Sequence, residues 1–103
     1  MTKRMLALVA TDPQERRRQQ VRAAQFIQDF ERDLTEDMEG FQSMINEFLD
    51  IMAYSDDDAA RILGTSRPTI TRWKTGAYSP VPLVRNGCRD RIMEQIIEIT
   101  RPA

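Results

Sequence analysis

Two short helices joined by a tight turn are predicted by residues 55–80, which read SDDDAARILGTSRPTITRWKTGAYSP. The helix starts are indicated by serine caps, one with an acid at the reciprocal position of a capping box and one followed by a first-turn proline. The helix ends are indicated by glycine, which readily adopts the left-handed backbone conformation. These residues are Ser55, Asp58 and Gly64 for the helix over 55–63, and Ser66, Pro68 and Gly76 for the helix over 67–74.

Apolar and small residues at fixed offsets indicate that these two helices pack against each other. Ala60 lies four positions before Gly64, and its small side chain allows a close crossing. Ile70 and Trp73 give the second helix one apolar face, and Leu63 fills the space beneath the turn. Two short helices with a glycine-containing turn between them are the pattern of a helix-turn-helix.

The other face of the second helix is polar or basic and contains no acid. Arginine can hydrogen-bond to guanine edges, threonine and serine to bases or phosphates, and lysine to phosphates. A helix that enters the major groove of DNA needs this chemistry. The alternative for each arginine, taken singly, is a solvated surface role. The candidate DNA-binding residues on this helix are Ser66, Arg67, Thr69, Thr71, Arg72, Lys74 and Thr75.

The same residues, 55–80, resemble the helix-turn-helix of phage repressor and Cro-like regulators of the XRE type. The ending WKTG, followed by Pro80, is similar to the end of that family's recognition helix and the loop after it. The resemblance implies that Arg67 and Arg72 contact bases and that Arg85, at the start of the last helix, contacts a phosphate. Nearby contacts are implied for Ser66, Thr71 and Thr75.

Three features depart from that family. Its members often have Gln at the start of the first motif helix to hold a phosphate, whereas this chain has Asp56, Asp57 and Asp58. These acids would repel a phosphate unless they point away and serve only the helix dipole. The fifth helix common in the family is not predicted, and an N-terminal helix up to Asp33 is additional.

Apolar residues at three- and four-residue spacing predict further helices on both sides of this motif. The first covers 13–34 with a cap at Asp12, and its apolar face is a candidate for dimerisation or for packing on the core. The second covers about 35–52 and the last 82–100. One long helix over about 13–52 is the alternative, because the apolar positions continue almost in phase. The predicted inward residues are Ala23, Phe26, Ile27, Phe30 and Leu34, then Met38, Phe41, Met44, Ile45, Phe48, Leu49 and Met52, and finally Val84, Cys88, Ile92, Ile96 and Ile99.

Composition excludes several classes of protein. The 103 residues suffice for one domain, and they include no His and a single Cys, which excludes a zinc finger and a disulfide framework. No phosphate loop, serine nucleophile elbow or histidine-based dyad is present, so we expect no enzyme, cofactor or metal site. The longest apolar run, over 5–10, is far short of the ~20 residues that cross a bilayer, so we expect a cytoplasmic protein without a membrane span.

The net charge of −1 conceals a strong segregation along the chain. Residues 1–28 hold six basic and two acidic side chains, residues 29–58 hold one and eleven, and residues 59–103 hold eight and three. The basic C-terminal part can face phosphates while the acidic middle faces water or a partner. The arginines at 16–22 are expected to be a solvated face, with a second phosphate contact as the alternative.

The sequence therefore predicts an all-α fold of about five helices. It is divided into an N-terminal arm over 1–12, an extra helix over 13–34 and a helix-turn-helix domain over 35–103. The predicted function is a sequence-specific transcriptional regulator of phage or bacterial type that binds double-stranded DNA as a homodimer, with RNA polymerase or another protein as a further partner. The alternative is a protein-binding antitoxin, or a phage adaptor or DNA-packaging accessory that uses a helix-turn-helix.

Overall fold

The computed structural model describes residues 12–30 and 38–101, and all the regular structure in these ranges is helical. The predicted all-α class with five helices is confirmed. The predicted arm up to residue 11 and the predicted helix boundary at 34–35 lie outside the described residues. The helices are α1 (Pro13–Phe30), α2 (Met38–Met52), α3 (Asp56–Leu63), α4 (Arg67–Thr75) and α5 (Pro82–Thr100). Within the same ranges, none of these helices combines the length and the apolar character that crossing a membrane requires.

Helices α1 and α2 are separate and lie side by side. Arg22 Nη2 on α1 is 2.7 Å from Asp50 Oδ2 and 3.3 Å from Glu47 Oε2 on α2. In one continuous helix Arg22 and Asp50 would be about 42 Å apart along the axis, at 1.5 Å per residue. The single long helix over 13–52 is therefore wrong, and these acids pair with an arginine of the same chain.

The apolar face of α1 packs on the core of its own chain. Ala23, Phe26 and Phe30 are buried, and the rings of the two phenylalanines are 4.6 Å apart. The helix packs against α5 more extensively than against α2. Gln20 Nε2 also donates a hydrogen bond to the Ile99 carbonyl of α5 at 3.2 Å. Of the two roles predicted for this face, packing on the core is the one that the structure shows.

Helix α2 is the central element of the core. Its inward residues form a nearly continuous stripe, because positions three and four apart lie on one face of a helix. This helix packs against α1, α4 and α5, so it connects the N-terminal helix to the predicted DNA-binding helix. The buried α2 residues are Phe41, Met44, Ile45, Phe48, Leu49, Ile51 and Met52.

Helix α5 confirms four of its five predicted inward residues, namely Cys88, Ile92, Ile96 and Ile99. The prediction for Val84 is wrong, because its side chain is 44% exposed. Arg85 takes the buried position instead, at 8% exposed. The inward stripe continues at three- and four-residue spacing to position 85, and position 84 lies about 100° away around the helix.

Candidate nucleic-acid interface

The turn between α3 and α4 is defined by the caps that the sequence predicted. Asp58 N donates to Ser55 Oγ, and Ser55 N donates to Asp58 Oδ2, both at 3.1 Å. This reciprocal pair is the predicted capping box at the start of α3. Gly64 ends the helix with φ = 70°, in the left-handed region. Ser66 Oγ then accepts a hydrogen bond from Thr69 N at 3.3 Å and caps α4.

Two buried residues fix the orientation of α4. Ile70 is 0% exposed and Trp73 is 4% exposed, as the apolar spacing predicted. The Trp73 ring meets Phe41 of α2 edge-on, with the ring centroids 5.3 Å apart and a 78° angle between the planes. Because these anchors are one turn apart on the same face, the opposite face of α4 is directed outward.

Helix α2 also holds the C-terminal end of α4 by two amide side chains. Gln42 Nε2 and Asn46 Nδ2 each donate a hydrogen bond to the Lys74 carbonyl at 3.0 Å. This satisfies one of the carbonyls that the end of a helix leaves without a partner. Sequence reasoning missed both residues, because they precede Lys74 by 32 and 28 positions and have no local signal.

The exposed face of α4 brings together most of the predicted DNA-binding residues. Arg67, Thr71, Arg72 and Thr75 are exposed on it, and we call these four the α4 surface. Ser66 is also exposed at its N-terminal end, whereas Thr69 and Lys74 are partly buried. No acid belongs to α4 itself, whose sequence is RPTITRWKT.

An acid from the preceding helix nevertheless contacts α4. The carboxylate of Asp56, in the first turn of α3, accepts a hydrogen bond from Lys74 Nζ and another from Thr71 Oγ1, each at 2.7 Å. These hydrogen bonds lower the pKa of the Asp56 carboxyl below its ordinary value, and the bond from Lys74 has the largest effect. Burial opposes them but is weaker. The positive charge of Arg67 lowers this pKa further. Asp56 is therefore ionised at neutral pH and neutralises Lys74.

The other two acids of this turn have different surroundings. Asp58 completes the capping box and accepts a hydrogen bond from Arg61 Nη2 at 2.8 Å. Asp57 is exposed and makes no ion pair within residues 12–30 and 38–101. Of the three aspartates, Asp56 is the one that bonds to α4 within the described residues.

Arg85 differs from the other seven candidate residues because it is buried. Its guanidinium Nη1 donates to Ser79 Oγ at 3.3 Å, in the segment between α4 and α5. The phosphate contact that the family resemblance implies for Arg85 stays a prediction. Packing at the start of α5 buries this residue, since position 85 continues the inward stripe of that helix.

Among the described residues, no group of three or more acids or cysteines is arranged to hold a metal ion. Comparisons with protein-family models, with curated proteins and with solved structures found no match. The function proposed below therefore rests on the residues and geometry of the chain itself.

Proposed function

We propose that this protein is a sequence-specific DNA-binding regulator whose helix α4 enters the major groove. The observation that carries the proposal is the exposed polar and basic face of α4, to which the helix itself contributes no acid and which buried Ile70 and Trp73 on the opposite side direct outward. A major groove about 12 Å wide admits one α-helix, and side chains along its outer face then meet base edges. The DNA-binding role implies a cytoplasmic location in a bacterial host.

Arg72 and Arg67 are the proposed base contacts. Arg72 is exposed and makes no ion pair with any residue that the structure describes, so its guanidinium is available for the two acceptors of a guanine. Arg67 lies at the N-terminal end of α4, where the recognition helices of helix-turn-helix proteins contact bases. Thr75 and Ser66 flank these arginines and supply hydroxyl groups for phosphates or bases.

The proposed assembly is a homodimer formed next to α4. The apolar face of α1 is already occupied by the core, so it does not supply the interface. Val81, Leu83 and Val84, between α4 and the first turn of α5, are 60%, 82% and 44% exposed. Two copies that meet at these residues would occupy both half-sites of a symmetric site if their α4 helices lay about one turn of DNA, roughly 34 Å, apart. A second copy of this chain is therefore the partner that we propose for them.

Selection from a random pool of duplexes at physiological salt, followed by sequencing, tests the function. A two-fold symmetric enriched site supports both specific recognition and a symmetric dimer. Arg72→Ala should weaken binding to that site by about 1–3 kcal/mol and relax sequence preference at one position of each half-site. Arg91→Ala is the matched control, because Arg91 is an exposed arginine on α5.

Two results would overturn the proposal. One is equal weakening by Arg72→Ala and Arg91→Ala on every sequence, which would mean general attraction to phosphates. The other is the absence of an enriched site together with binding that vanishes as salt rises, since this describes counterion release alone. The chain would then be examined as a protein-binding adaptor or antitoxin.

A further inference from the structure

The hydrogen-bond donors around Asp56 are the kinds that bind a DNA phosphate. An ammonium group from Lys74 and a hydroxyl from Thr71 each reach one oxygen of the carboxylate at 2.7 Å. The guanidinium of Arg67 is close enough to act on the same carboxylate by its charge. A carboxylate and a phosphate both present anionic oxygens to such donors, so the side chain of Asp56 resembles the ligand that these groups would otherwise bind.

The carboxylate is held in this position from both sides. Asp56 lies in the first turn of α3, next to the Ser55 capping box, where the helix dipole favours a negative charge. On the other side, Lys74 is at the end of α4 that α2 holds through Gln42 and Asn46. The side chains of Asp56 and Lys74 are only 23% and 33% exposed, so salt screens this pair less than a surface pair.

We propose that Asp56 limits the sequence-independent affinity of the exposed face of α4 for DNA, because it occupies Lys74 and Thr71 in place of a DNA phosphate. This inference rests on the proposed function. Affinity for any sequence grows with the number of phosphates that basic side chains neutralise, whereas base contacts distinguish one sequence from another. Neutralising Lys74 within the chain lowers the sequence-independent part of binding and leaves the base contacts of Arg72 unchanged. Binding to every duplex is weakened as a result, and the base contacts supply a larger share of the remaining binding free energy.

The alternative is that the pair only braces α3 against α4. Loss of a brace would lower stability and would weaken binding to every duplex, because α4 would be less well positioned. Loss of a phosphate competitor would instead strengthen binding to unrelated duplexes. The two interpretations therefore predict opposite signs for the change in nonspecific affinity.

Asp56→Asn is the decisive variant, and Asp57→Asn is its matched control, with the same change in charge one residue further along α3. Binding to one duplex of unrelated sequence and to one selected site is measured between 50 and 200 mM salt. For Asp56→Asn we expect tighter binding to the unrelated duplex and a salt slope steeper by about 0.9, the value for one added phosphate contact. The ratio of its affinity to that of wild type should then fall by about 3.5-fold between 50 and 200 mM salt. Asp57→Asn and the charge-conserving Asp56→Glu should match wild type.

A double-mutant cycle with Lys74→Gln separates the contributions of the two side chains. Lys74→Gln alone should weaken binding, because it leaves the Asp56 carboxylate facing the phosphates. The double variant Asp56→Asn/Lys74→Gln should return to the wild-type affinity and salt slope, since it replaces an ion pair of zero net charge by two uncharged side chains. If Lys74 contacts a phosphate in wild type, the double variant will instead bind as weakly as Lys74→Gln.

The results also distinguish the failure of this inference from the failure of the proposed function. If the wild type binds DNA but Asp56→Asn binds the unrelated duplex no more tightly, the role of Asp56 is overturned and the proposed function stays in place. An equal increase in affinity for Asp57→Asn has the same meaning. The absence of duplex binding in every variant overturns both. Folding is checked by the fluorescence of Trp73, and Asp56→Ser, which keeps a polar side chain at the start of α3, replaces any unfolded Asp56→Asn.

Discussion

Gly76→Ala tests how α2 holds the C-terminal end of α4. Gly76 has φ = 79°, and a Cβ added there would lie 3.0 Å from Gln42 Oε1 and 3.2 Å from Gln42 Cδ. The Gln42 side chain must then move, although its Nε2 donates a hydrogen bond to the Lys74 carbonyl. Gly64 is the matched comparison, because its φ is 70° and nothing lies within 4 Å of an added Cβ.

The expected free energies follow from these two environments. A left-handed conformation costs a non-glycine residue about 1–2 kcal/mol, and the lower entropy of the unfolded chain offsets about 0.4–1 kcal/mol, so Gly64→Ala should lose about 1 kcal/mol. Gly76→Ala has the same cost and also disturbs the hydrogen bond of Gln42, a further loss of about 1 kcal/mol. We therefore expect a loss of about 2 kcal/mol for Gly76→Ala. In a Gln42→Ala background, the additional loss should disappear.

The free energies of unfolding can be measured in urea. Trp73 is the only tryptophan of the chain and packs against Phe41, so its fluorescence reports on this region directly. Equal losses for Gly64→Ala and Gly76→Ala would contradict the contact with Gln42. The contact with Gln42 would also be contradicted if Gly76→Ala still lost more unfolding free energy than Gly64→Ala in the Gln42→Ala background. The side chain that the added methyl group displaces is absent in that background.

Two further predictions concern assembly and the buried thiol. Phe30→Asp should lower stability without lowering the mass of the native assembly, because an unpaired buried charge costs about 3–5 kcal/mol. Leu83→Glu should instead lower the mass of the native assembly and remove the dependence of the urea midpoint on protein concentration. Native mass spectrometry and urea unfolding check both, and the reverse pattern would assign the dimer contact to α1. Burial raises the pKa of the Cys88 thiol to about 11 from 9.0, so stability should fall more steeply in wild type than in Cys88→Ala as pH rises above 9.0. Rapid reaction of the native thiol with a disulfide reagent at pH 8 would contradict this burial.

Local sequence signals predicted the helix-turn-helix well because the ends of α3 and α4 have their own chemistry. Ser55 and Ser66 cap α3 and α4, and both glycines that end these helices have positive φ. The apolar spacing of α2 was equally informative, since its predicted residues from Phe41 onward are buried. Position 84 shows the limit of this method: one valine shifted the predicted stripe by one residue, and the structure buried the neighbouring arginine instead.

The candidate site was less predictable because its decisive contacts join distant parts of the chain. The polar face of α4 follows from periodicity, but the pairing of Asp56 with Lys74 spans 18 residues. This contact depends on the angle between α3 and α4, and the sequence of either helix alone does not determine that angle. The same holds for Gln42 and Asn46, which lie on the solvent side of the α2 stripe and become functional only when α4 ends beside them.

The near-neutral charge of the chain bears directly on how it would bind DNA in the proposed function. A net charge of −1 gives no overall attraction to the phosphates, so any electrostatic steering must come from basic parts of the chain such as residues 59–103. Several of its bases are also neutralised locally, Arg22 by Glu47 and Asp50 and Lys74 by Asp56. Affinity must then come from the few groups that remain available at short range, foremost Arg72. Such a protein would bind unrelated DNA weakly, and a change at Arg72 would affect its binding more than the loss of one charge elsewhere.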